Sequence, residues 1–180
     1  PVSAGTIRFD GQDITVLSPE AMRPLRRRMQ MIFQDPMASL NPRHTIRRIL
    51  TEPLFLHGLA SDRRDAERQV RAILDRVSLP AVMLERAPHE LSGGQRQRVG
   101  IARAVLMKPD FVLADEVVSG LDVSTQAQVL NLLKELSQEM GLAMAFISHD
   151  LSVIRAICDR VTVMRFGEVV EEGRCGPVFD

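Results

Sequence analysis

Two short stretches of this 180-residue chain carry residue types suited to phosphate chemistry. The first is Leu91-Ser92-Gly93-Gly94-Gln95. A serine ahead of a helical run accepts a hydrogen bond from a free first-turn amide, and a glutamine three residues on reaches back to complete a capping box. Gly93 and Gly94 have no Cβ, so a ligand can approach the exposed amides, and the helix dipole favours an anion there. The second is the apolar run Phe111-Val112-Leu113-Ala114, which ends in Asp115-Glu116. Open α/β sheets hold ligands at the carboxyl ends of their strands, and adjacent acids there are costly unless a cation or a bound water uses them. Taken singly, the acids read as a solvated strand end and the glycines as a helix start without a ligand. A phosphate-facing helix start followed by a buried strand ending in two carboxylates reads as nucleotide chemistry.

These residues need elements to hold them. Thr6 to Phe9 alternates as a half-buried strand, and Asp10-Gly11 is a turn. Ser18-Pro19-Glu20 opens a short helix. Met29, Met31 and Phe33 fall at period two, a strand running into Gln34, with Pro36 and Pro42 marking the loop that follows. From Thr45 to about Leu84 the pattern is helical, and the stripe of Ala66, Val70, Ile73, Leu74 and Val77 reads as core packing. After Gly94, the positions Val99, Ala102 and Leu106 share one face, and Pro109 follows the helix end. Residues from about 41 to 107 thus form a mostly helical insert between strands. Beyond it come a strand to Asp115, a helix with Val129, Leu132, Leu133, Leu136 and Met140 on one face, and a strand from Leu142 to Ile147 leading to His149. A helix near 151–158, a strand near 161–164 and a hairpin around Gly167 follow. Strands alternating with helices imply a parallel α/β sheet.

On these motifs the chain resembles the ATP-binding cassette (ABC) ATPases. Leu91 to Gln95 matches their signature, Phe111 to Glu116 their Walker B strand, and Met31-Ile32-Phe33-Gln34-Asp35-Pro36 their Q-loop. Ser119-Gly120-Leu121-Asp122 is similar to the D-loop and Ser148-His149-Asp150 to the switch histidine. The wording of 35–43 and 123–130 is similar to the oligopeptide/dipeptide importer branch. The resemblance implies a P-loop NTPase-like core with a parallel sheet, in parts 1–40 and 108–180, plus an inserted helical subdomain at about 41–107. It implies ATP and Mg²⁺ as cofactors, with Asp115 holding the metal through water, Glu116 polarising the attacking water, Gln34 contacting both, and His149 meeting the γ-phosphate. Ser92, Gly93, Gly94 and Gln95 would bind ATP held by an opposite subunit, and Asp122 would organise that dimer interface. The implied partners are a second ABC ATPase subunit, integral membrane permease subunits and, indirectly, an extracytoplasmic solute-binding protein. The place is the cytoplasmic face of the membrane. Val117 stands where relatives have proline, which bears on the stiffness of the turn toward Asp122.

One part of the pattern lies outside these residues. A Walker A loop ends in Gly-Lys-Ser/Thr, but the two lysines are Lys108, before Pro109, and Lys134, before Glu135. The expectation is a truncated view of a longer ATPase, starting some way after that loop and strand, inactive alone and with an opened, aggregation-prone sheet. The 23 basic and 23 acidic residues balance, so no global attraction to nucleic acid or anionic lipid is expected. Arg26-Arg27-Arg28 reads as a solvated helix face. Cys158 and Cys175 form neither a disulfide framework nor a metal spacing, and read as buried or inert thiols. No apolar run is long enough to span a membrane. The competing functions are a non-transport ABC protein acting on DNA or ribosomes, disfavoured because the chain has no heptads, and an interaction-only remnant without its own nucleotide site.

Overall fold

The computed structural model describes residues 2–179; Pro1 and Asp180 lie outside the described residues. The chain opens with a small antiparallel hairpin, β1 (Arg8–Phe9) and β2 (Gln12–Asp13). This is shorter than the strand expected from Thr6, because the Ile7 amide donates to the Thr15 hydroxyl at 2.8 Å instead of extending the ladder. Helix α1 (Pro19–Arg28) starts where Ser18 accepts from the Ala21 amide, with proline in its first turn. It runs directly into strand β3 (Met29–Ile32).

The elements between β3 and the next strand are helical: α2 (Pro36–Ser39), α3 (Ile46–Leu56), α4 (Arg63–Arg76), 3-10 turns at Ala81–Glu85 and Pro88–Glu90, and α5 (Gly93–Leu106). Thr45 and Asp62 cap α3 and α4 through their side chains. The expected stripe on α4 faces inward: Ala66, Val70, Ile73 and Leu74 are buried. Strand β4 (Phe111–Asp115), helix α6 (Val123–Met140), strand β5 (Ala143–Ile147) and helix α7 (Leu151–Ile157) follow. The chain then forms β6 (Arg160–Arg165), β7 (Glu168–Arg174) and a last helix α8 (Cys175–Phe179).

The central sheet is parallel with strand order β3-β4-β5. Val112 and Ala114 of β4 are fully buried, and one apolar cluster runs from them through α5 and α6 into α3 and α4. Strand β5 pairs with β4 on one side and, among the described residues, with nothing on the other. Its Ile147 is 50% exposed. Strands β6 and β7 form a separate antiparallel hairpin. Among the described residues β5 is thus an edge strand of this sheet.

Arg28 departs from the solvated face expected of it. Its guanidinium reaches Asp10 at 2.7 Å and also pairs with Asp110, and it lies over the Phe9 ring at 5.1 Å. One arginine thus ties the opening hairpin to the residue just ahead of β4. Cys175 is buried and Cys158 half-buried, where burial pushes its thiol up to about 11. Both match the inert thiols expected. No helix among the described residues is long and apolar enough to cross a membrane.

Candidate functional site

Parallel pairing fixes which loop residues meet. Ile32 stands opposite Ala114 and Asp115 opposite Ile147, so the chain leaves β3, β4 and β5 at neighbouring carboxyl ends. Carried two residues further, the β3–β4 register sets Gln34 against Glu116. The structure closes that contact: Gln34 Nε2 donates to Glu116 Oε2 at 2.6 Å and lies 3.4 Å from the Ser119 hydroxyl. From β5, His149 Nδ1 approaches Glu116 Oε1 at 3.0 Å. Three residues distant in sequence are joined through one carboxylate. An ionised carboxylate only accepts, so Nδ1 carries the proton in this contact and Nε2 is the ring atom left to meet another group. At the side chain His149 is 76% exposed and Glu116 24% exposed, so the carboxylate is the more sheltered of the two.

The backbone at Glu116 is unusual. Its φ is +45°, the left-handed region that L-residues avoid, and its amide is held by the Ile147 carbonyl at 2.9 Å. The chain turns sharply there, and Val117, where the resemblance led one to expect proline, is buried in the core.

Asp115 makes no side-chain hydrogen bond or ion pair among the described residues. It lines a cleft of about 550 Å³ together with Phe33, Gln34, Asp35, Ser39 and Arg103. A free carboxylate at a strand end beside a glutamine amide is a suitable ligand for a hard cation. No group of three or more His, Cys, Asp or Glu side chains able to enclose a metal occurs among the described residues.

The Ser92 box forms as its spacing requires. Gln95 N donates to Ser92 Oγ at 3.3 Å, and Ser92 N donates to Gln95 Oε1 at 2.9 Å. The glycines have a packing role that the sequence did not reveal. A Cβ on Gly94 would lie 2.7 Å from Thr125 Cγ2, and one on Gly93 would rest against Leu121 at 3.7 Å. Gly94 therefore lets α5 approach the first turn of α6, whatever else it admits. That turn is capped by Asp122, which accepts from Ser124 Oγ at 2.7 Å and from Thr125 N and Oγ1 at 3.0 and 2.7 Å. These bonds, led by the Ser124 and Thr125 hydroxyls, hold the Asp122 carboxyl well below the usual carboxylate range.

The site residues thus fall into two groups. Gln34, Glu116 and His149 are bonded together, with Asp115 in the adjoining cleft. Ser92, Gly93, Gly94 and Gln95 lie instead against Leu121 and the Asp122-capped turn. Two further side chains stand at the first group: Ser119, which the D-loop match includes without giving it a role, and Arg103, to which the sequence assigned none. Gln34 reaches Ser119, and Arg103 bonds the Ser39 carbonyl.

A model of the ABC transporter family matches residues 1–119. The chain belongs to the ABC transporter family. A Brucella ovis protein described as a peptide import ATP-binding protein is 56% identical over 169 residues, which are 94% of this ABC chain and 53% of the relative. The oligopeptide transport ATP-binding protein AmiF of Streptococcus pneumoniae is 52% identical over 179 residues, 99% of this chain and 58% of its own. The ABC chain spans about half the length of the curated relatives it matches. Among solved structures, cbiO1 of Clostridium perfringens, part of the ABC transporter complex cbiONQ, superposes with a TM-score of 0.85 at 28% identity, covering 98% of this chain and 68% of cbiO1. The ATP-binding cassette MJ0796, solved as a dimer in a post-hydrolysis state with ADP and Pi, gives 0.86 at 28% identity, covering 96% and 74%. The ABC chain therefore has the α/β fold of these cassettes, as its motifs led one to expect.

Proposed function

We propose that this chain is part of the ATP-binding and ATP-hydrolysing subunit of an ABC importer for peptides or related small solutes. The observation that carries the proposal is the Glu116 carboxylate held between Gln34 and His149 at the ends of parallel strands. Relatives named for peptide import and oligopeptide transport support the solute class.

In this reading Glu116 polarises the water that attacks the terminal phosphate. Each of its oxygens holds one hydrogen bond in the structure and keeps a lone pair for a water proton. Gln34 fixes the carboxylate's orientation and faces the cleft that Asp115 lines, while His149 offers Nε2 to the phosphate. Asp115 and Gln34 would hold Mg²⁺, Asp115 through water. The donor set fits, because Mg²⁺ keeps several waters and takes one or two carboxylates, so a closed cluster of protein ligands is not needed. When bound, the ion supplies positive charge against the phosphate oxygens, and positioning does most of the rest.

Ser92, Gly93, Gly94 and Gln95 would meet ATP held by a second ABC subunit, whose interface Asp122 organises; the dimeric MJ0796 cassette supports such pairing. Residues 41–107 act as a helical subdomain between core parts 1–40 and 108–180. The protein sits at the cytoplasmic face of the membrane on its permease subunits, touches a solute-binding protein only through them, and binds no nucleic acid. Turnover needs a Gly-Lys-Ser/Thr loop joined to these residues, since the sequence given contains none.

The test uses the product of the complete reading frame, reconstituted with its permease subunits in vesicles, with ATP hydrolysis and uptake of labelled short peptides as readouts. Hydrolysis that drives peptide uptake and stops in Glu116→Gln, while nucleotide still binds, is the expected result. Stimulation by DNA or ribosomes instead, or full activity in Glu116→Gln, would sink the reading.

A further inference from the structure

Gln34 is followed at once by α2, a helix of four residues. One turn cannot offset the cost of nucleating a helix, so something outside it must hold it in shape. Side chains brace it at both ends. Asp35 caps its start, accepting from the Met37 amide at 2.8 Å. At its end, Arg103 from the last turn of α5 donates through Nη1 to the Ser39 carbonyl. That carbonyl is one of those a helix leaves without an internal partner, and a cation there also faces the negative end of the helix dipole.

Arg103 is an expensive way to make one hydrogen bond. Its side chain is half-buried, and burial pushes its guanidinium below the usual value. Asp35 and Asp115 line the same cleft, yet Arg103 forms no ion pair with either, nor with any other carboxylate among the described residues. Withdrawing an unpaired cation from water costs free energy. A neutral donor would serve a merely structural bond at lower cost.

We propose that Arg103 is a positioning residue for the hydrolytic site: from the helix that opens at Ser92, it clamps the end of α2 and so fixes the loop that aims Gln34 at Glu116. The inference rests on the hydrolytic reading of Gln34 and Glu116. It also makes α5 a rigid connection between the Ser92 box and the Gln34 loop.

The test again uses the complete protein with its permease subunits. Arg103→Met and Arg103→Lys are prepared alone and in a Gln34→Ala background. Arg103→Met lowers kcat about tenfold with KM for ATP held within about twofold, and Arg103→Lys restores part of the loss. With Gln34 already replaced, Arg103→Met costs less than about twofold more, because the two act through one contact. A second readout does not depend on turnover. The Leu40 amide bonds the Pro36 carbonyl at 3.0 Å, and its hydrogen exchange speeds about tenfold in Arg103→Met while amides of α4 are unchanged. Equal losses in both backgrounds, or unchanged exchange at Leu40, overturn the proposal. A wild-type protein that hydrolyses no ATP sinks the hydrolytic reading and this role with it, while Leu40 exchange still decides whether the clamp exists.

Discussion

The two groups of site residues are assembled in opposite ways. The Ser92 box is local: both of its hydrogen bonds join residues three apart, and it needs little more than one helix start. The Glu116 group joins residues 82 and 33 apart, so it exists only when three strands have paired in register. The local group leans on α6 for packing, through Gly94 and Thr125, whereas the distant group is fastened by polar contacts at half-exposed strand ends. Damage to the first should therefore register as lost stability, and damage to the second as lost chemistry with the fold intact.

The sharpest way to break that contrast is Glu116→Gln in the complete protein. Hydrolysis is expected to fall by about 10²- to 10³-fold, in line with removing a group that acts on the transition state. The melting temperature should move little, because the amide oxygen can still accept from Gln34 while the amide NH2 donates to His149 Nδ1 once the ring proton shifts to Nε2. A large drop in melting temperature would mean that the carboxylate holds the fold, and the contrast would fail. Next in size is Gly94→Ala, where the added methyl meets Thr125 Cγ2 at 2.7 Å. Overpacking there is expected to cost about 1–3 kcal/mol. Thr125→Ser removes the offending methyl and keeps the hydroxyl that bonds Asp122, so the double variant should recover most of the loss in denaturant titrations. Ser92→Ala removes the acceptor for the Gln95 amide and should cost about 1 kcal/mol in the same assay.

The smallest effect is on the acid side. The Asp122 carboxyl is held low in the folded protein, so the stability it contributes is fully present above its unfolded value of about 4 and is lost as pH falls through its folded value. Melting curves taken from neutral pH down to about pH 2 should show a shallower acid slope for Asp122→Asn than for the wild type. Parallel slopes would show that the capping bonds of Asp122 do not discriminate between its charged and neutral forms.

Periodicity made most of the elements legible. Met29 and Met31 announced β3, which stops at Ile32, one residue short of the expected Phe33. The stripe from Ala66 to Leu74 announced α4, with Val77 as its C-cap, and the serine-glutamine spacing announced both bonds of the Ser92 box. Helix α8 escaped, since its Cys175-Gly176-Pro177 start carries no helical signal. The site was legible as a set of residues but not as an arrangement. That Gln34 and His149 fasten onto one carboxylate follows from strand order and register, which alternation does not specify. Arg28 read as one of three solvated arginines because its partners, Asp10 and Asp110, lie far along the chain in opposite directions. Arg103 was hidden for a similar reason. Sequence spacing places it on α5, but only the path of the chain after Gln34 brings the Ser39 carbonyl to it. Gly94 was noticed for the right property and given one consequence too few: lacking a Cβ admits a neighbouring helix as readily as a ligand.

The left-handed backbone at Glu116 has an evolutionary consequence. An L-residue there carries a penalty of about 1 kcal/mol or more that glycine escapes. Of all positions in the molecule, the one bearing the carboxylate proposed to act on water is thus among those where the backbone would sooner have no side chain. A gene copy no longer required to hydrolyse ATP would meet little conformational resistance to losing that glutamate. On the proposed role of Glu116, its persistence in a descendant would record continued selection for turnover, and its replacement by glycine would mark a lineage that has kept the fold and given up the engine.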